Sequence, residues 1–343
     1  MILLKKCGSN SSPIDFRLPD LVIHPRDVFC SVRTFKDGWT LWTWVAIPVC
    51  TAIAIWKYSF ATINWGIAAA SFYLMTIGVS LGFHRYFSHH SFKTSRPVQF
   101  FIALLGTLSG QTGPISWALM HKDHHRHCET EKDPHATAVG FWHAHGFFLW
   151  NHAQPRVSNF SASEWAKYPE IVFLERGAPM IHYAFGIVIG LLAGFQGVVW
   201  YWMVPTWLCW NSTMLINSFS HRYGGFDYRD FHTPEVCNAT NLWWGFIFIL
   251  GDNWHNNHHA YPNAAYHGWK WWQIDPNRYV LWIMQKLRLV WDPIIASPKV
   301  LANARVQPHD ALPPNMSKAI YARHARASER AKKPTEEMAL TSE

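Results

Sequence analysis

Four stretches of the chain are apolar over the length of a bilayer crossing: 39–57 (GWTLWTWVAIPVCTAIAIW), 61–82 (ATINWGIAAASFYLMTIGVSLG), 180–202 and 203–220. A spanning helix needs about 20 mostly apolar residues, so each stretch predicts one. They fall into two hairpins, turning at KYSFA (57–61) and WYWMVP (200–205), whose aromatic rings suit the membrane interface. Two further apolar runs, 98–120 and 239–251, are interrupted by glycine and polar residues and predict amphipathic helices lying at the interface. The pattern thus predicts an all-α integral membrane protein: four transmembrane helices in two hairpins, with a helical cap. Residues 1–38 make an N-terminal segment, 39–295 the membrane domain and 296–343 a polar tail. From about 303 onward the tail, with ARHARASERAKKPTEE, lacks an apolar pattern and reads as a solvated helix or a disordered end.

Composition agrees with this layout. Of 343 residues, 49% are hydrophobic and only 15% charged, well below the quarter usual in soluble domains. Six Lys or Arg lie in 1–38, nine in 84–178 and fourteen in 221–343, leaving only Lys57 in the first turn. The positive-inside rule then places both termini and the long middle segment in the cytosol, whether the membrane is a bacterial inner membrane or endoplasmic reticulum. MILLKK has no apolar core or small-residue cleavage site, so no secretory signal is expected there. A net charge of +8 does not argue for nucleic acid, because no nucleic-acid motif accompanies it. The six cysteines are far apart, with no CxxC pair, and are expected to be reduced and incidental.

Histidines change the picture. Nine of the 21 fall in four clusters beside the ends of apolar elements. HRYFSH supplies His84 and His89, and HKDHH supplies His121, His124 and His125. NSFSH supplies His221, with Asn217 one turn before it, and HNNHH supplies His255, His258 and His259. Helix positions i, i+3 and i+4 share a face, so each HxxHH run can aim three rings at one centre. In HxxxxH the second ring lies ~140° around, enough to grip a site from two sides. A lone membrane histidine is ordinarily a satisfied polar contact. Nine buried together without a metal would leave many donors and acceptors unpaired, each costing about 1–3 kcal/mol. The set fits two ions of four or five ligands each, with Asn217 placed to hold a bound water. All-nitrogen sites suit Fe, Cu, Ni or Zn. No HExxH, GxSxG or Walker sequence is present, so a redox metal that activates oxygen beside acyl chains is the natural use.

The boxes HRYFSHHSFKTSR, HKDHHRHCETEKDPH, NSFSH and GDNWHNNHHAYPNAAYHGWKWWQIDP resemble those of the membrane-bound fatty acid desaturases, specifically the stearoyl-CoA or Δ9 acyl group, over most of 39–295. The resemblance implies two irons held by the nine histidines, with Asn217 acting through water. It also implies O2 as co-substrate and electrons from a separate donor such as cytochrome b5 or ferredoxin with its reductase. The substrate would be an acyl-CoA or membrane lipid. By the same resemblance Gln111, Trp117 and Thr213 shape the kink of a substrate tunnel, a bent geometry that accounts for a cis product. Front-end relatives carry Gln first in the last box and an HPGG motif, and omega-type relatives have a first box like HDCGH. This chain has His255 and neither motif, which favours Δ9.

Further expectations attach to single residues. Lys122 and Arg126 flank the second box and are candidates for a head-group phosphate. Phe72 and Thr76, one to three turns before His84, are candidates for the methyl end of the tunnel. Asp133 and Asp252 are candidates for orienting ligand histidines. His90, His127, His135 and His267 read as surroundings. A lipid hydroxylase using the same metals is the alternative enzyme. A non-catalytic metal or haem protein is more remote, since haem takes paired ligands inside spans.

Overall fold

The computed structural model describes residues 46–303, apart from 59, 131, 147, 149–163, 222–228, 232, 234–236 and 238. The first 45 residues, including the start of the first expected span, and the tail beyond 303 lie outside them. The described part of that span is helix α1, Ile47–Lys57. The expected first turn follows, with Tyr58 extended and a short 3₁₀ turn at Phe60–Thr62.

Helix α2, Trp65–Ile77, starts at Asn64, whose side chain accepts a hydrogen bond from the Ile67 N–H at 3.2 Å, filling one of the orphan donors of a helix start. It does not stop at 82. It continues as a wide π-helical segment, Gly78–Ser88, which carries His84 inside the helix. π-helical turns are uncommon and cluster at functional sites.

The expected interfacial helix at 98–120 is instead two packed helices, α3 (Arg96–Leu108) and α4 (Pro114–His127). Between them Gly110 and Thr112 take positive φ of 75° and 72°. α3 crosses the π-helical segment so closely that a Cβ on Gly78 would sit 2.1 Å from the Gly106 amide nitrogen. Two glycines facing each other permit this backbone approach. Small residues let the two elements pack closely where they meet, while Phe101 on α3 stays 56% exposed.

Helix α5, Pro169–Gly197, contains the second reversal. Gly194 has φ 62° and ψ −165°, a conformation essentially reserved for glycine. The arms pair symmetrically about it: Val198 Cγ2 faces Gly190, and the Trp202 ring covers Gly186. The turn expected at 200–205 is thus displaced, and the spans expected at 180–202 and 203–220 shift toward the N-terminus. Residues 198–203 are helical and run directly into α6, Val204–Phe219.

Two segments are long and apolar enough to cross a membrane, Trp65–Ser88 with mean hydropathy 1.6 and Pro169–Phe219 with 1.8. At 51 residues the second is more than twice the ~20 a crossing requires, which the fold at Gly194 accommodates. Leu191 and Leu192 near that fold are 82% and 80% exposed.

The run at 239–251 does not form one amphipathic helix. It gives a 3₁₀ turn, Trp243–Gly245, and a single helical turn, Phe246–Ile249, because Leu250 and Gly251 take positive φ and end it. The last histidine box forms α7, His255–Ala260, and α8 covers Pro276–Lys286. A two-stranded antiparallel pair, Lys93–Thr94 with Val290–Trp291, ties the segment after His89 to the end of the cap.

Candidate metal centre

The four boxes converge. The π-helical segment brings His84 and His89, α4 brings His121, His124 and His125, the end of α6 brings His221, and α7 brings His255, His258 and His259. Their ring nitrogens form two groups, His84, His89, His121, His125 and His258 in one, and His124, His221, His255 and His259 in the other. In the first, Nε2 atoms follow one another at 2.9–3.0 Å from His84 to His258, His125, His121 and His89. In the second, His255 Nε2 lies 2.9 Å from that of His221 and 3.0 Å from that of His259. His124 Nε2 is 3.4 Å from His259 Nε2.

The opposite ring edges say which atoms carry protons. His84 Nδ1 lies 2.9 Å from Asp252 Oδ2 and His124 Nδ1 3.0 Å from both Asp133 oxygens. His221 Nδ1 is 3.5 Å from Glu129 Oε1, and His259 Nδ1 is 3.3 Å from Cys237 Sγ. A carboxylate fixes the Nδ1–H tautomer, leaving Nε2 as a lone pair. Lone pairs converging at about 3 Å repel unless a cation sits between them, and neighbouring ligands of an ion bound at ~2.1 Å stand about that far apart. The donor set therefore fits two cations, one with five imidazoles and one with four.

Electrostatics supports this. Burial first, and then the neighbouring imidazoles, hold His89, His121, His125, His221, His255, His258 and His259 well below the usual 6.5, so they are neutral and free to coordinate. Burial alone would raise Asp133, but His124, His135 and their hydrogen bonds outweigh it and hold the carboxyl at about 2. Burial and then the charge of Asp133 push Glu129 up to about 8.

Short α7 cannot stand alone at six residues. Asn256 and Asn257, between the histidines, anchor it. Asn256 Oδ1 accepts from the Asp230 and Phe231 amides at 2.8 Å, and its Nδ2 donates to the Phe231 and Ala239 carbonyls. Asn257 donates to the His267 carbonyl at 2.8 Å and to Gln273 Oε1 at 3.0 Å.

Two adjacent cavities reach the histidines. One is lined by Thr76, His84, His124, Ile216 and His255, among others. The other is lined by Gln111, His135, Phe148 and Trp210, among others. Trp117, His121, Thr213 and Asn217 line both. Gln111 Nε2 donates to Thr213 Oγ1 at 3.0 Å, and Trp117 Nε1 donates to Gln111 Oε1 at 3.4 Å. Phe72 is buried in the apolar core and lines neither cavity. Lys122 Nζ sits 3.5 Å from His90 Nε2, and Arg126 lies 3.8 Å from Asp123, both away from the two cavities.

Several participants were not singled out in the sequence. Arg85 is fully buried and binds both Asp252 and Asp275; its signal was a charge inside an apolar helix. Glu129 gave none. His135 and His267 are closer than surroundings: His135 stacks on His124 with ring centres 4.2 Å apart, and His267 Nδ1 lies 3.1 Å from Asp252. Cys128 and Cys237, expected to be reduced, are joined in a disulfide across 109 residues of sequence. Sequence separation concealed the pairing, since only the fold brings the end of α4 beside Cys237.

Residues 62–292 match the fatty acid desaturase family. The chain is 33% identical to the sn-1 stearoyl-lipid 9-desaturase of Anabaena variabilis, over 72% of this chain and 90% of that protein. It is 34% identical to the hex-5-enoyl-[acyl-carrier protein] acetylenase of Moorena producens, over 74% and 84%. With the acyl-CoA C20 Delta5-desaturase of Anemone leveillei it shares 33%, over 68% and 75%. With its boxes gathered into two imidazole groups against a cavity, and with these relatives, the chain belongs to the fatty acid desaturase family.

Proposed function

We propose that the chain is a membrane-bound, O2-dependent desaturase that introduces a cis double bond at Δ9 of a long saturated acyl chain. The observation that carries this reading is the cavity whose wall holds Thr76 and Ile216 together with histidines of both groups, His84 and His121 of one and His124 and His255 of the other. The nine histidines would hold two irons, the metals usual in this family, which supply oxygen activation when bound. Asn217, which lines both cavities, would hold a water there. The protein's own part is positioning. Gln111, Trp117 and Thr213 form a hydrogen-bonded set beside His121, which would fix one carbon pair of a bent chain near the metals. Burial of the histidines keeps bulk water from the reacting carbons.

The Δ9 assignment is supported by His255 at the head of the last box and by lipid 9-desaturases among the relatives. The same relatives include proteins named for acyl lipid, acyl-CoA and acyl-carrier protein, so the proposed substrate is a fatty acyl group offered as lipid or CoA thioester. Four spans with both termini and the cap in the cytosol, and a separate electron donor attracted by the basic cap, complete the proposal. Expression in yeast unable to make monounsaturated fatty acids, with lipid analysis by gas chromatography and mass spectrometry, tests it. A new cis-Δ9 acyl chain supports the reading. Continued oleate dependence with no new double bond, despite membrane-located protein and a competent donor, overturns it; a hydroxylated product would favour a hydroxylase.

A further inference from the structure

We infer that Cys128 and Cys237 form a reversible redox site behind the four-histidine group, a modification site for peroxide and small dithiols. This rests on the metal reading above. Cys128 caps the end of α4, three residues beyond His125, and Cys237 lies on the segment leading to the last box. Their sulfurs touch the backs of two rings: Cys237 Sγ is 3.3 Å from His259 Nδ1, and Cys128 Sγ is 3.8 Å from His221 Nδ1. Carboxylates serve the Nδ1 atoms of His84 and His124, and Glu129 lies 3.5 Å from that of His221. Only sulfur serves that of His259 among the described residues.

The two redox states present different acceptors to that ring. A free cysteine sulfur accepts from Nδ1–H and can turn to meet it. A disulfide sulfur is fixed by its bond to Cys128 and is the poorer acceptor, so closing the bond weakens the group that orients His259. Closure also ties the end of α4, which carries His124, to the segment before α7. On the cytosolic face proposed for this cap, reducing systems keep thiols open, and disulfides found there are typically transient and sensing ones.

The chemistry balances with peroxide, which oxygen reduction releases when it runs without substrate oxidation. Two thiols and one H2O2 give the disulfide and two waters. A small dithiol restores both thiols and becomes a disulfide itself. With metals bound in the histidine groups, the site would report peroxide formed beside them.

Purified holoprotein treated with hydrogen peroxide or dithiothreitol, then alkylated and mapped by mass spectrometry, tests the pairing. Iron content and turnover are measured on the same samples. The Cys128–Cys237 linked peptide is expected after peroxide and absent after dithiothreitol, with about tenfold slower turnover in the oxidised form, the low end for disturbing a partner of a metal-bound histidine. In C128S/C237S the ratio of reduced to oxidised turnover is expected to fall to one. Both cysteines remaining open to alkylation after peroxide would overturn the site. So would a linked peptide that survives dithiothreitol in the folded protein, or equal turnover and iron content in the two states. Iron missing from the reduced protein would instead defeat the metal reading, which the peptide map does not depend on.

Discussion

Arg85 and Asp252 form a fully buried ion pair, Nη2 to Oδ1 at 3.0 Å, and the same carboxylate meets the imidazole of His84, a member of the five-histidine group. Asp252 turns its other oxygen to His84 Nδ1 and to the Ser80 hydroxyl, while Asp275 takes a second edge of the guanidinium. The π-helical segment and the loop before α7 are locked together by this one carboxylate.

Removing it should separate metal binding from folding. Asp252→Asn leaves Arg85 with Asp275 as its one carboxylate partner among the described residues, so the expected loss of stability is about 3 kcal/mol, the low end for breaking a buried pair. Iron content should fall further, by about tenfold in affinity, because His84 loses its orienting partner. Iron per chain by mass spectrometry and thermal unfolding in detergent measure the two effects. Full iron content in the variant would show that Asp252 does not orient His84.

The grouping of histidines makes its own prediction. His258→Ala removes a member of the five-imidazole group and should abolish turnover with loss of bound iron. His90→Ala alters a ring 42% exposed and outside both groups, and should keep both. Wild-type turnover by the first variant would sink the ligand assignment.

Chain length is expected to follow Thr76. It lines the same cavity as His84 and is buried at 4% exposure, so Thr76→Phe should narrow that end and shift products toward shorter chains. An unchanged product profile would place the methyl end elsewhere.

Acid should destabilise the metal-free protein. Burial, and then Arg85, hold His267 at about 4, while burial and then His124 hold His135 at about 3. Unfolded histidines titrate near 6.5, so below that pH the unfolded chain binds protons that the folded chain refuses. Stability from these groups is complete above pH 6.5 and is lost as pH falls toward 4. A lower Tm at pH 5 than at pH 7.5 is expected; an equal or higher Tm would show that these rings are not held neutral.

The reversal at Gly194 is testable by adding a methyl group. Gly194→Ala forces an L side chain into φ 62°, ψ −165°, at a cost of about 1–3 kcal/mol, read as a shifted midpoint in detergent unfolding. No shift would mean that the turn relaxes freely.

Sequence alone determined the apolar character of the chain, the four histidine boxes and the count of imidazoles, because composition and spacing of 3.6-residue turns are local properties. It located the first turn at 57–61, where an apolar run is interrupted by a charge. It misplaced the second, because the aromatic run at 200–205 resembles an interfacial turn while Gly194 reads as one small residue among many; only the packing of Trp202 on Gly186 distinguishes them. Tertiary structure decided which rings share a centre: neighbours His124 and His125 go to different groups, while His84 and His258, 174 residues apart, meet at 3.0 Å. It likewise joined Cys128 to Cys237 and buried Arg85 between two carboxylates. Such pairings depend on distances across the folded chain, which no local pattern encodes.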